Sequence, residues 1–179
     1  MRIIGGRYRG KKLISPASAA VRPTSDKARE ALFNILRSRL GADFGKLRLI
    51  DIFAGSGAFA LEALSQGFAG VTMVDINTAD LQKNVRLFPG EAGRINVVRA
   101  DALSLPAMAE KFDVLFMDAP YRRGLTEPAL KAAAALLRPG ALCLIEVEKN
   151  ESCSLPETYR LLDERRYGLA KILIAEFIS

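Results

Sequence analysis

The 179-residue sequence contains no histidine and only two cysteines, Cys143 and Cys153. The first absence excludes His-based general acid–base chemistry, Ser–His and Cys–His nucleophilic sites and His-ligated metals together. Two unpatterned cysteines offer no metal site and suit a reducing, cytoplasmic compartment. Cys143 lies in an apolar run and reads as a small buried residue. No apolar stretch approaches the length of a membrane span, and Met1-Arg-Ile-Ile-Gly-Gly6 lacks the apolar core of a secretory signal. Acidic residues are scarce in one place. Residues 1–29 hold Asp26 alone against eight cations, Arg2, Arg7, Arg9, Lys11, Lys12, Arg22, Lys27 and Arg29. The remainder is nearly balanced, with 18 basic and 19 acidic residues, so the whole excess behind the net charge of +6 lies in the first sixth of the chain. A basic arm on a nearly neutral domain points to a polyanion partner.

What is present is a core-forming composition, 50% hydrophobic, in a length that suits one domain with a small appendage. The organising stretch is Asp51-Ile-Phe-Ala-Gly-Ser-Gly57. An apolar run from Leu47 to Ile52 precedes it, and Ala58-Phe-Ala-Leu-Glu-Ala-Leu64, with helical spacing and strong helix formers, follows. Strand, glycine turn, helix is the pattern of a nucleotide-cofactor loop, where Gly permits close backbone approach and the helix N-terminus presents unpaired N–H groups. Gly55-Ser-Gly57-Ala-Phe-Ala60, with Asp75 about 20 residues on, also fits the dinucleotide fingerprint, so the glycines alone do not identify the nucleotide.

Taken in order, residues 2–14 predict a hairpin turning at Gly5-Gly6. Tyr8 between Arg7 and Arg9 gives it a cationic face and a ring free to stack on RNA. Arg22-Pro-Thr-Ser-Asp26 predicts a helix cap, and Ala28, Leu32, Ile35, Leu36 and Leu40 form the stripe of the helix behind it. Strands follow at 47–53, 71–75, 95–99, 112–118 and 141–148. Helices are expected at 58–66, 79–87, near 105–110, and at 127–137. Successive βα units mean a doubly wound parallel sheet. The end differs: 159–166, a turn at Tyr167-Gly168, and 169–177 read as two strands closing the sheet with a hairpin.

Ligands bind off the carboxyl ends of parallel strands, and four acids sit at such ends: Asp51, Asp75, Asp101 and Asp118. Asp118 opens Asp118-Ala-Pro-Tyr121, which resembles the (Asn/Asp)-Pro-Pro-(Tyr/Phe) motif of amino-group methyltransferases. The lone pair of an exocyclic amine is delocalised into the base, so an acceptor must take up its N–H, and an aromatic ring can hold the base. Methylation at cytosine C5 is excluded, because neither cysteine follows a proline.

The stretches Arg2-Ile-Ile-Gly-Gly-Arg-Tyr-Arg-Gly10, Arg22-Pro-Thr-Ser-Asp-Lys-Ala-Arg-Glu-Ala-Leu-Phe-Asn-Ile-Leu36, Asp51–Gly57 and Asp118–Tyr121 together resemble the RsmD family. That resemblance implies a Rossmann-like class I methyltransferase: α/β, with a mostly parallel seven-stranded sheet, an antiparallel C-terminal strand and an N-terminal β-hairpin. Residues 1–40 would be the basic RNA-binding extension and 41–179 the catalytic domain. It implies S-adenosylmethionine as cofactor and the N2 amine of a guanine in 16S ribosomal RNA, within the small subunit or its assembly intermediate, as target. The implied cofactor set is Asp51, Phe53, Ala54, Gly55, Gly57, Asp75, Ile76, Asp101 and Ala102. Asp51 would hold the amino group through water, Asp75 the ribose hydroxyls and Asp101 the adenine amine. Asp118, Pro120 and Tyr121 would hold the guanine. Arg7, Tyr8, Arg9, Lys11, Lys12, Arg22, Thr24 and Ser25 would meet RNA. One departure is Ala119, where the family usually has a stiffer proline. A DNA amino-methyltransferase, an NAD-dependent oxidoreductase and a non-catalytic RNA-binding module are the alternatives.

Overall fold

A computed structural model describes residues 1–15 and 25–179. Its centre is one seven-stranded sheet in the order β3-β2-β1-β4-β5-β7-β6. The strands are β1 (Arg48–Ile52), β2 (Gly70–Asp75), β3 (Ile95–Arg99), β4 (Phe112–Asp118), β5 (Leu137–Glu148), β6 (Tyr159–Tyr167) and β7 (Ala170–Phe177). β1 to β5 pair in parallel, and β7 inserts antiparallel between β5 and β6. The helices are α1 (Asp26–Leu40), α2 (Ala58–Ser65), α3 (Ala79–Val85) and α4 (Thr126–Ala133), the last continued by a 3₁₀ turn at Ala134–Leu136. Among the described residues no helix is long and apolar enough to cross a membrane, and no cluster of His, Cys, Asp or Glu could hold a metal.

Alternation along the strands builds two cores. Leu49, Val114, Phe116, Leu142 and Leu144 face α1, α2 and the N-terminal arm, which adds Ile3 and Leu13. Ile50, Ile52, Leu115, Met117 and Ile145 face α4, with Ala129, Leu130 and Ala133. Such runs are buried on both sides, as parallel strands require. In the first core Phe59 of α2 stacks on Phe116 with ring centroids 3.7 Å apart, and Phe33 of α1 stacks on Phe59 at 5.0 Å. The three rings tie α1 and α2 to β4 directly beneath Asp118.

Four sequence expectations need correction. No helix forms at 105–110, because Pro106 disfavours the helical region for Leu105 and so short a segment cannot offset helix nucleation. Leu105 and Met108 still pack on the second core. The helix expected to reach Leu137 ends earlier, and β5 begins at that residue. The N-terminal hairpin is a single bridge, Arg2 to Lys12, and its chain reversal spans residues 5–10 rather than Gly5-Gly6. Gly6 is instead where the arm meets α2: a Cβ there would lie 1.9 Å from the Ser65 carbonyl oxygen, and φ is +74°. The last concerns Tyr8, whose ring is engaged, edge-on to Phe88 at 5.1 Å, while its hydroxyl donates to Glu91 Oε1 at 2.6 Å.

Candidate active site

The sheet register aligns the acids. Ile52 pairs with Val74 and Met117, and Asp118 pairs with Glu146. Asp75, Asp118 and Glu146 therefore sit at the carboxyl ends of β2, β4 and β5, with Asp51 on β1. Asp51, Asp118 and Glu146 belong to the alternation that carries Leu49, Phe116 and Leu144, so all three face the α1–α2 side.

The loop after β1 is shaped for a ligand. Phe53 takes φ 66°, a conformation costly for a non-glycine residue. The Ala54 N–H bonds the Val74 carbonyl at 3.0 Å, and the Gly57 N–H closes the turn on the Ala54 carbonyl at 2.8 Å. A Cβ on Gly57, whose φ is +77°, would come within 2.8 Å of Met73 Sδ. Gly55 has nothing within 4 Å of its missing Cβ, and its N–H donates to Asp75 Oδ2 at 2.8 Å. Asp75 Oδ1 accepts from the Asn77 N–H at 2.9 Å, which fixes the carboxylate beside the loop. Ile76, next in sequence, is 67% exposed. Asp101 lies just past β3, its Oδ1 accepting from the Leu103 N–H at 2.9 Å, and Ala102 is buried behind it.

Asp51 is 1% exposed, and among the described residues its Oδ1 has no hydrogen-bond partner. Burial pushes its carboxyl well above the usual range. The Ala60 backbone N–H opposes that rise and the Asp75 charge adds to it. A buried acceptor left open beside a loop with room over Gly55 fits a ligand that brings a cationic amine. S-adenosylmethionine carries such an amine, so the residues present fit it.

Asp118 is also held above the ordinary carboxylate range, first by burial, then by the charges of Glu146 and Asp51. Ala119 is buried and Pro120 exposed. Tyr121 folds back, its hydroxyl donating to Glu146 Oε1 at 2.7 Å. Arg122, at φ 59°, binds Glu148 through two N–H groups, at 2.5 and 2.6 Å. Glu146 and Glu148, two residues apart on β5, thus strap down consecutive residues of the loop after Asp118. Glu146 did not emerge from the sequence, though an acid in an apolar run, in phase with Leu142 and Leu144, was the available sign.

The proposed RNA residues divide. Arg22 and Thr24 lie outside the described residues. Ser25 caps α1, its Oγ accepting from the Ala28 N–H at 3.2 Å. Arg7 pairs with Glu91 at 3.4 Å, and Glu91 also pairs with Arg94 at 2.7 Å. Arg94 in turn reaches the Phe68 and Ala69 carbonyls, just before β2. The turn bearing Arg7, Tyr8 and Arg9 is therefore at the amino ends of the strands, at the other end of the sheet from Asp118. The two limbs of the arm run back to the cofactor loop. There the Ile14 N–H donates to Asn84 Oδ1 at 2.7 Å, and Asn84 Nδ2 donates to the Ser56 carbonyl at 2.9 Å. Arg29, one of the eight cations of the basic segment, is 1% exposed, paired with Glu62 at 3.7 Å and Asp26 at 3.0 Å, so it offers no charge to a polyanion.

Residues 1–176 match the family described as Conserved hypothetical protein 95. The ribosomal RNA small subunit methyltransferase D of Escherichia coli K12 is 37% identical over 173 residues, covering 94% of this chain and 85% of the relative. The protein of that name from Haemophilus influenzae is 34% identical, covering 94% and 90%. The solved structure of the Escherichia coli protein yhhF superposes with a TM-score of 0.83 at 33% identity, covering 100% of this chain and 98% of that one. That of TrmN from Thermus thermophilus gives 0.69 at 26%, covering 84% and 48%. The sheet order and these neighbours define a Rossmann-like class I methyltransferase fold.

Proposed function

The chain belongs to the Conserved hypothetical protein 95 family, and from that membership we propose that it methylates the N2 amine of a guanine in small-subunit ribosomal RNA, using S-adenosylmethionine. Relatives covering nearly the whole chain carry the name ribosomal RNA small subunit methyltransferase D. The observation that carries the chemistry is Asp118, a half-buried carboxylate one strand from Asp51, whose Oδ1 has no hydrogen-bond partner among the described residues.

When bound, S-adenosylmethionine supplies an electrophilic methyl group. The chain's own residues bind and orient. Asp51 receives the cofactor's amine, the open space over Gly55 admits its methionine end, and Asp75 meets the ribose. Ile76, with Phe53, Ala54, Asp101 and Ala102, frames the adenine. Asp118 accepts an N–H of the guanine amine, which keeps the nitrogen lone pair aimed at the methyl and takes up the departing proton's charge. Pro120 and Tyr121 flank the base, with Tyr121 fixed by Glu146. Reactants held in line at roughly 3–3.5 Å need no further catalyst. Arg9, Lys11 and Lys12, with Arg7, Arg22 and Thr24, guide the RNA backbone.

The test is methyl transfer from labelled cofactor onto small-subunit ribosomal RNA from cells lacking the protein, as naked RNA and as assembled particles, with the modified base identified. N2-methylguanine is expected. Asp118→Ala should abolish transfer with cofactor affinity within a few fold, and Asp118→Asn should retain part of it, because an amide oxygen still accepts. Full activity in Asp118→Ala would place the chemistry elsewhere.

A further inference from the structure

Asp118 belongs to a row that crosses four strands. It pairs with Glu146 on β5, Glu146 with Ile172 on β7, and Ile172 with Arg165 on β6. Residues directly opposite one another share a face of the sheet, and this row faces α1, because Ile172 packs in the first core. Three strand spacings of ~4.8 Å put Arg165 about 14 Å from Asp118, within reach of phosphates that flank a base held there.

Arg165 stands in a groove of about 400 Å³ between α1 and β6. Ile35 and Ser38 of α1 line one side, Tyr167 of β6 the other, and Ile174 of β7 lies between. Arg39 and Arg165 both pair with Asp163, at 3.5 and 2.8 Å, so one acid serves two cations. The helical period carries the groove side of α1 back from Ser38 through Ala31 to Lys27, an exposed cation in the first turn. That turn is at the carboxyl ends of the strands, where Arg29 bonds the Arg2 carbonyl, and α1 descends to the amino ends, where Arg37 reaches Gln66. Glu164 and Arg166 alternate to the opposite face of β6 and pair with each other at 3.4 Å.

We propose that the groove between α1 and β6 is the track for the RNA strand flanking the target base, with phosphates on Lys27, Arg165 and Arg39 and a base against the half-buried Tyr167 ring. The proposal rests on the RNA methyltransferase reading above and adds where the RNA lies. Ile172 is 1% exposed, so the strand passes from Asp118 over the first turn of α1 and then down the groove. Cations with an aromatic ring along a groove suit a single nucleic-acid strand, whereas the centres of protein interfaces are depleted of charge. The turn of the N-terminal arm is at the other end of the sheet, and its Arg7 is held by Glu91.

The probe is the small-subunit particle from cells lacking the protein, with 4-thiouridine in its RNA. Arg165→Glu and Lys27→Glu should each weaken binding about tenfold at low salt and flatten its salt dependence, with cofactor affinity unchanged. Arg166→Glu makes the same charge change one residue away on the opposite face and should be nearly silent. Ultraviolet cross-links from the RNA should map to the peptides that carry Lys27 or Arg165. Equal losses in Arg165→Glu and Arg166→Glu would mean a diffuse charge effect and overturn the proposal. So would lost affinity with no RNA cross-link to either peptide, which would make the occupant a protein. A wild-type protein that transfers no methyl group to the RNA would overturn the function reading instead, because affinities and cross-links decide the groove without turnover.

Discussion

Replacing Gly6 with alanine tests how the basic arm is held. The added Cβ would lie 1.9 Å from the Ser65 carbonyl oxygen and 2.4 Å from its carbon, with φ at +74°. The left-handed backbone alone costs an alanine about 1–2 kcal/mol. The clash is with helix backbone, which cannot yield, so the arm must lift. Lifting breaks the Arg7 N–H bond to the Ser65 carbonyl at 2.8 Å, the Tyr8 N–H bond to Ser65 Oγ at 2.9 Å and the Ser65 hydroxyl bond to the Gly5 carbonyl at 2.6 Å. At roughly 0.5–1.5 kcal/mol each, the total loss is about 3–6 kcal/mol, a large part of an ordinary domain's stability. Gly10→Ala is the control: its φ is +86°, but nothing lies within 4 Å of the missing Cβ, so only the backbone cost of about 1–2 kcal/mol applies. Urea denaturation followed by circular dichroism gives both values, and tryptic cleavage at Arg7 and Arg9 reports the freed arm. Losses equal within ~0.5 kcal/mol would refute the docking argument.

Three further outcomes follow from the site and core. Burial raises the Asp51 carboxyl, so the folded state holds that proton more tightly than the unfolded chain, whose value is ~3.9; stability is full below that pH and falls as pH rises. Asp51→Asn should therefore raise the melting temperature of the cofactor-free protein at neutral pH and lose its advantage near pH 4, as calorimetry would read, while cofactor binding weakens. The ionised Asp118 is the stronger acceptor, and its carboxyl is raised partly by Glu146, so the acidic limb of the pH–rate profile, where transfer falls towards the level of Asp118→Asn, should move to lower pH in Glu146→Gln; an unmoved limb would separate the two groups. The buried Cys143 thiol is pushed up to about 12, so a thiol reagent should titrate Cys153 in the native protein and Cys143 only after denaturation.

Strand positions and the Asp51–Gly57 loop were legible because a doubly covered parallel strand announces itself as an apolar run and a tight βα turn needs its glycines. Asp118 was legible through its tetrapeptide. Glu146 was not, because its role comes from register across β4 and β5, which local sequence does not encode. Arg29 was misplaced because charge counts cannot tell a solvated cation from one buried against Glu62. The arm was misread for a related reason: alternation in Arg7-Tyr8-Arg9 suggests a free surface, whereas Phe88 and Glu91, some 80 residues away, occupy the ring. The burial of Ile3 and Leu13 also changes the choice of experiment. Excising the arm would uncover the core, so its RNA role is better tested by Arg9→Glu with Lys12→Glu, which should flatten the salt dependence of RNA binding by ~0.7 per lost phosphate contact.

The docking of Tyr8 also fixes an order of events during synthesis. Ile4 bonds a residue 58 positions later, Ile14 one 70 later and Tyr8 one 83 later. A chain made from its N-terminus at about 5–20 residues per second exposes the arm for roughly 4–17 s before Glu91 exists. Its other partners emerge in turn before that, Arg29 on the Arg2 carbonyl first, then Glu62 on the Ile4 and Gly5 N–H groups and Asn84 on the Ile14 N–H. The arm is thus made long before the residues that hold it, and its attachment is a long-range closure.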